Sequence, residues 1–409
     1  MNTKKTIYVE GVGCDRRLLE KSKILEYLKG NDYQITRRPS KADYILLFTC
    51  AFKKAEEDYS VTRLRALLNH RGRLLVYGCL PDIAPHRLEG LAAIHKLAPK
   101  DLDEIDSFFD GIQTEYADIK NSHTILNPTR ANLIQTVRRN LAMNYHLIRR
   151  LGSLRNRRQK PKKCFYLMVC RGCLGHCSYC AIPRAIGSIK SKPTAAIIAE
   201  FREGLKAKYR NFVLLGDDLG CYGLDGVGTL PALMDSLCHE ARSFSGDGLK
   251  AASKHPMVQF HLKEVHPKHL LLYEKSLPQL FESAYVKSLL CPIQSGSPRI
   301  LALMRREHTV EDFKRIIHAI REVNPGIELS TQIIVGFPTE TEEDFQATLD
   351  LVIELGFRWV VVFPFDAKSG TVAAGLEGRL SEDVIERRVD KAFKYFKNHG
   401  TRALANCPW

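Results

Sequence analysis

At 409 residues the chain is long enough for two or three domains that each bury a core of their own. Its 44% hydrophobic and 26% charged residues exclude a disordered or fibrous chain, and with no apolar run near the ~20 residues that span a bilayer, no membrane partner is expected. The twelve cysteines and the formal net charge of +15 carry the first positive hints: reduced thiols free for metals or catalysis, and an anionic partner, nucleic acid first.

The opening residues run from two lysines straight into a β-rich stretch, without the apolar core and small-residue cleavage site of a secretory signal, so a cytoplasmic location is expected. The chain then alternates strand-like and helix-like patterns: TIYVEGVG (Thr6 to Gly13), a helix through Leu18 to Gly30, YILLFT (Tyr44 to Thr49), a helix through Ala55 to Asn69, and RLLVYG (Arg73 to Gly78). This predicts a small parallel α/β domain of the flavodoxin-like kind over residues 1–120. Each of the three strands ends within one residue of a cysteine: Cys14, Cys50 and Cys79. The carboxyl ends of parallel strands form the ligand-binding edge, so these thiols are expected on one rim.

From Pro128 to Lys163 the chain holds eleven Lys and Arg and no acidic residue, starting with a helical pattern over Ala131 to Leu151. Residues 121–163 thus read as a basic connector, either a grip on phosphates or a solvated linker. A second α/β series occupies residues 164–380: CFYLMV (Cys164 to Val169), a helix after Pro193, NFVLLG (Asn211 to Gly216), MVQFHL (Met257 to Leu262), AYVKSLL (Ala284 to Leu290), ELSTQIIVGF (Glu328 to Phe337) and RWVVVFPF (Arg358 to Phe365). Six strand and helix repeats suit a partial parallel (β/α)6 TIM-like barrel better than a closed eight-unit one, which takes ~250 residues. Residues 381–409 carry a helix through Glu382 to Lys397 and a tail.

The strongest chemical signal is Cys173-Leu174-Gly175-His176-Cys177-Ser178-Tyr179-Cys180, just after the first strand of the second series. Three closely spaced thiolates can wrap one corner of a four-iron cluster, which usually takes four cysteines, so one iron stays open to a small molecule. The alternative is a structural zinc site with Cys170 as fourth ligand, in a non-catalytic nucleic-acid-binding protein. Zinc ribbons separate their cysteine pairs by more residues than lie between Cys173 and Cys177. Cys164, Cys221, Cys238, Cys291 and Cys407 read as structural thiols.

The triplet closely resembles the Cys-x3-Cys-x2-Cys loop of the radical S-adenosylmethionine (SAM) superfamily, and the resemblance continues along the chain. TCAFKKAEEDYS (Thr49 to Ser60), YGCLP (Tyr77 to Pro81), RGCLGHCSYCAIPRAIGSIKSKP (Arg171 to Pro193), PIQSGSPRILALMRREHT (Pro292 to Thr309) and IIVGFPTETEEDFQATLDLV (Ile333 to Val352) are similar to radical SAM methylthiotransferases that modify tRNA adenosines or a ribosomal-protein aspartate. The resemblance implies that Cys173, Cys177 and Cys180 hold a radical-generating 4Fe–4S cluster, and that Cys14, Cys50 and Cys79 hold an auxiliary one. It implies a SAM site drawn from Tyr179, Gly216, Asp217, Asp218, Gln294, Ser295, Ser297, Val335 and Gly336.

The activity so implied is insertion of a methylthio group into an unactivated C–H bond, with SAM serving both as radical source and as methyl donor and with an external one-electron donor. A modified tRNA adenosine is the first substrate expected, with a peptide, protein or small molecule as the alternative. Three departures stand out: the run GVGCDRRLLEKSK around Cys14, Asp217 where glutamine is usual, and Thr339 where glycine is usual. The family usually continues into a β-barrel RNA-binding module (TRAM) of about 60 residues. This chain is read as lacking it and as gripping its substrate by other means.

Overall fold

The computed structural model describes residues 5–91, 94–125, 163–246, 258–282 and 285–405. The basic stretch from Pro128 to Lys163, apart from Lys163 itself, and Cys407 lie outside the described residues. The chain divides into two compact units, Met1–Lys162 with Ala181–Gly187, and Lys163–Cys180 with Ser188–Trp409.

The first unit is a parallel sheet of β1 (Thr6–Gly11), β2 (Gln34–Thr36), β3 (Tyr44–Thr49), β4 (Arg73–Gly78) and β5 (Ile94–Leu97), in the order β2-β1-β3-β4-β5. That is the flavodoxin-like order expected of this pattern. Every residue of β3 is buried because both faces are covered, which is why its sequence reads as an unbroken apolar run. Side chains alternate between faces with the two-residue period of a strand. Leu46 and Phe48 join Ile24, Tyr27 and Leu28 of helix Asp15–Gly30 on one side, while Ile45 and Leu47 join Val61 and Leu64 of helix Lys54–Leu67 on the other. Ala181 and Ala185 complete this second cluster.

The second unit is built on β6 (Cys164–Met168), β9 (Asn211–Leu215), β10 (Gln259–Leu262), β11 (Val286–Leu290), β12 (Glu328–Val335), β13 (Trp359–Pro364) and β14 (Arg402–Leu404). They form one parallel sheet in the order β14-β13-β12-β11-β10-β9-β6, open between β14 and β6. A short antiparallel pair, β7 (Cys170–Arg171) with β8 (Lys190–Ser191), flanks the cysteine loop. Six of the strands follow the expected runs, and the seventh, β14, extends the sheet past them. Helix Glu382–Asn398 buries Ala392 and Phe396 in the main core, so the carboxy-terminal segment is part of this unit.

Two helices of the second unit start with reciprocal caps. Thr309 accepts from the Asp312 amide while Asp312 accepts from the Thr309 amide, and Thr341 and Asp344 repeat the device at the start of helix Glu342–Glu354. The first helix, Val310–Val323, comes after the short helix Pro298–Leu303, and the second comes after β12.

Candidate active site

The loop that carries the triplet is fixed at both ends. Gly172 has φ +85 and a Cβ there would stand 2.2 Å from the Ser188 carbonyl oxygen, so the turn into the loop admits only glycine. Its amide donates to the Asp217 carboxylate at 2.9 Å. Inside the loop the Gly175 amide donates to Cys173 Sγ at 3.1 Å. A Cβ on Gly175 would lie 3.1 Å from Cys173 Sγ and 3.9 Å from Cys177 Sγ, which places both sulfurs around one bare Cα. Buried Ser178 ties the loop down: its amide donates to the Met304 carbonyl at 3.0 Å, its hydroxyl to the Leu303 carbonyl at 2.7 Å, and its carbonyl accepts from the Ala373 amide at 2.9 Å.

Next to Cys173 lies a thiol that sequence reasoning missed. Cys173, Asp218 and Cys221 present ligand atoms all within 4.8 Å of one another, the one such group among the described residues. Cys221 reaches this place because Asp218 caps the turn after β9, accepting from the Gly220 amide at 3.0 Å and from the His266 amide at 3.2 Å. The Cys221 thiol hydrogen-bonds Cys173, which lowers the Cys173 thiol below its ordinary range and drives Cys221 far above it. Among the described residues, Cys173, Cys177 and Cys180 are not grouped that tightly. Cys170, the fourth ligand of the zinc alternative, turns into the core, its Sγ 3.6 Å from the Asp218 carbonyl and against Gly216.

The residues expected around SAM divide by what they touch. Gly216 leaves no room for a side chain, since a Cβ would meet Cys170 Sγ at 2.6 Å. Asp217 and Asp218 hold the two loops just described. Ser295 is fully buried against Thr348 at 3.2 Å, and Ser297 accepts from the Ile300 amide and donates to Asp344 at 2.5 Å, so both hydroxyls shape the turn. Gly336, next to Val335, has φ +84, donates its amide to Glu340 at 2.8 Å and packs on Ile385 where a Cβ would clash at 2.5 Å. Tyr179 packs against the apolar cluster that includes Ile334, Phe337 and Phe363, and burial holds its hydroxyl protonated well above the ordinary range.

Gln294 differs from these. Its φ of +72 is rare for a side-chain-bearing residue, and its backbone is locked there by Gln294 N to Gln332 O and Ile334 N to Gln294 O, both 2.9 Å. Its buried Oε1 has no protein partner, and neither do Ser330 Oγ, Arg306 Nε or the two ring nitrogens of His308. Burial, then Arg306, pushes His308 down to about 3, so its ring is neutral. Each orphaned polar group costs about 1–3 kcal/mol unless a polar ligand meets it. Gln294 follows β11, Ser330 is the third residue of β12, and Arg306 and His308 lie in the loop after helix Pro298–Leu303; their unused donors and acceptors suit a polar ligand, as SAM is.

In the first unit the three strand-end cysteines are brought level by glycine. Gly11 pairs with Phe48 and Gly78 with Thr49 in register. A Cβ on Gly11 would come within 2.0 Å of Phe48 O, and one on Gly78 within 2.2 Å of Thr49 O. The chain therefore leaves β1, β3 and β4 at closely spaced points, with Cys50 and Cys79 one residue beyond the ladder and Cys14 at the start of helix Asp15–Gly30. The Cys50 loop is held by Ser60, whose Oγ accepts from the Cys50 amide and lies 3.1 Å from the Cys50 carbonyl. Burial pushes the Cys50 thiol up to about 12, with Cys14 near enough to add to the rise. A desolvated thiol of this kind ionises when a metal takes it as a ligand.

Residues 167–352 match the radical SAM superfamily, and residues 6–97 match the uncharacterized protein family UPF0004. A probable threonylcarbamoyladenosine tRNA methylthiotransferase of Pyrococcus horikoshii is 29% identical over 90% of this chain and 78% of its own length. The ribosomal protein uS12 methylthiotransferase RimO of Heliobacterium modesticaldum is 27% identical over 94% of this chain and 78% of its own. The chain thus carries a radical SAM domain and a UPF0004 domain, and its relatives are named as tRNA or ribosomal-protein methylthiotransferases of the radical SAM family. Among solved structures, the radical SAM methyltransferase TsrM of Kitasatospora setae, with cobalamin and a 4Fe–4S cluster bound, matches over 88% of this chain and 75% of its own. Its TM-score is 0.56 at 12% identity, a likeness of fold. The family's cofactors are SAM and 4Fe–4S clusters, and the two sets of strand-end thiols and the orphaned polar groups suit them.

Proposed function

We propose that this methylthiotransferase inserts a CH3S group at an unactivated C–H bond of a modified tRNA adenosine, with Cys173, Cys177 and Cys180 holding the radical cluster and Cys14, Cys50 and Cys79 the auxiliary one. The observation that carries the reading is the pairing of two three-cysteine sets at the carboxyl ends of two parallel sheets, since three thiolates leave one iron of a cubane open. The net charge of +15 and the tRNA-modifying relative favour RNA as acceptor. When bound, the triplet cluster and SAM supply a one-electron cleavage that yields a carbon-centred radical.

The chain's own residues do the rest. Ser178 and Gly172 hold the thiols of the loop in place, and Tyr179 covers them with an apolar wall that keeps water from a radical. Gln294 Oε1 offers an acceptor to the cofactor's donors, and the chain around Val335 and Gly336 offers backbone for the adenine. His308, neutral and unpartnered, presents a ring nitrogen without adding charge.

Protein purified without oxygen is expected to carry about eight irons, four in each cluster. Alanine at Cys173, Cys177 and Cys180 is expected to abolish 5′-deoxyadenosine formation, while alanine at Cys14, Cys50 and Cys79 spares it and stops methylthio transfer. Mass spectrometry of tRNA and ribosomal proteins from a deletion strain identifies the acceptor. A lost CH3S mass on a protein, with tRNA unchanged, would replace the RNA assignment.

A further inference from the structure

Helix Pro298–Leu303 ends in an unusual way. The Arg305 amide donates to Ala302 O at 3.0 Å and the Arg306 amide to Leu301 O at 2.9 Å, the paired bonds of a Schellman motif, with Arg305 at φ +54 in the position where glycine is the usual choice. The left-handed residue turns the chain inward, and Arg306, only 7% exposed, is driven into the protein. Its Nη2 donates to the Pro292 carbonyl, its Nη1 lies 3.5 Å from Cys177 Sγ, and Nε has no partner.

Among the described residues no carboxylate pairs with this guanidinium. A buried charge without a counter-charge costs several kcal/mol, and arginine does not shed its proton to escape that cost. The side-chain atom within hydrogen-bonding reach of the guanidinium is the Cys177 sulfur, 3.5 Å from Nη1. The arrangement makes sense if that sulfur belongs to an anionic group, and this step rests on the reading of Cys177 as a cluster ligand.

We propose that Arg306 is a positioning residue that sets the reduction potential of the triplet cluster, its fixed positive charge beside Cys177 favouring the reduced form. One electron enters the cluster from the external donor, and no bond or proton changes at Arg306. The added negative charge is stabilised more by a nearby cation than the oxidised cluster was, so the midpoint rises. A cluster that must pass an electron to a sulfonium needs a low potential, yet one low enough to outrun its donor would never be filled. Arg306 fixes where between those limits the cluster sits.

The test is an EPR-monitored redox titration without SAM, on reconstituted protein in which Cys14, Cys50 and Cys79 are alanine so that one cluster is read. R306Q is expected to keep four irons and to shift the midpoint negative by a tenfold change in the reduction equilibrium, about 59 mV for one electron. R306K is expected to fall between R306Q and the parent. An unmoved or positive shift in R306Q with iron intact overturns the proposal, as does a loss confined to SAM affinity, which would assign Arg306 to the cofactor's carboxylate. If R306Q does not assemble the cluster, protein labelled with 15N-arginine is read instead: a hyperfine coupling between the reduced cluster and guanidinium nitrogen is expected, and its absence overturns the proposal. Failure of the parent itself to assemble a cluster would sink the functional reading and not the role of Arg306 alone.

Discussion

Gln294 combines a costly backbone with an unused side chain, and that combination marks a residue kept for what its side chain meets. The left-handed conformation costs a non-glycine residue about 1–2 kcal/mol. Gln294→Gly is therefore expected to leave the melting temperature unchanged or raise it, while weakening SAM binding about tenfold, the worth of about one good hydrogen bond. Calorimetry and equilibrium dialysis check the two halves, and a variant that melts lower with SAM affinity intact would make Gln294 structural. Thr339, where glycine is usual in the family, has φ +66, and Arg299 steadies it by donating to its carbonyl at 2.7 Å and its hydroxyl at 2.9 Å. The triplet was plain in the sequence because its members are neighbours in the chain. Cys221 was not: it lies far along the sequence from Cys173, and only the Asp218 turn carries it there.

At the scale of elements, the site depends on how strand ends meet helix starts. Asp344 accepts from Ser297, from the Thr341 amide and from Arg299, joining the turn after β11 to helix Glu342–Glu354. Burial alone would raise its carboxyl, but these donors outweigh it and hold it at about 2. Folding then favours the ionised form: the stabilisation is full above the unfolded value near 3.8 and is lost as pH falls through 2. Asp344→Asn is expected to cost about 1–2 kcal/mol at pH 7, with the difference from the parent shrinking as pH falls from about 4 and vanishing below 2 in urea denaturation. Gly78→Ala, by forcing a Cβ to within 2.2 Å of Thr49 O, is expected to cost about 2–4 kcal/mol and to halve the iron content, since the crossing aligns Cys50 and Cys79. Full iron in that variant would detach those cysteines from a cluster. Strands β3 and β4 were legible because burial on both faces leaves apolar runs, and β1 because a shorter apolar run, Ile7 to Val9, marks it. Short β2, β5 and β14 are only partly buried and show no such run.

At the scale of the molecule, two parallel sheets place all six candidate ligands at strand ends, and that much followed from the alternating pattern of the sequence. The positive charge belongs to the same scale. Replacing the Lys and Arg between Pro128 and Lys163 with serine and glutamine is expected to weaken tRNA binding at least tenfold and to flatten its salt dependence by about one unit of slope for each phosphate no longer neutralised. Filter binding at two salt concentrations measures this, and an unchanged slope would make the segment a linker. Described residues contain no helix long and apolar enough to cross a membrane.

Ser178 has a consequence for how the protein matures. Its amide and hydroxyl are bonded to Met304 and Leu303 and its carbonyl to Ala373, so the middle of the cysteine loop is held by bonds that no metal supplies. Chelation should strip the metal and leave the Ser178 amide slow to exchange with deuterium, and the emptied chain should refill in one step, its scaffold having never come apart.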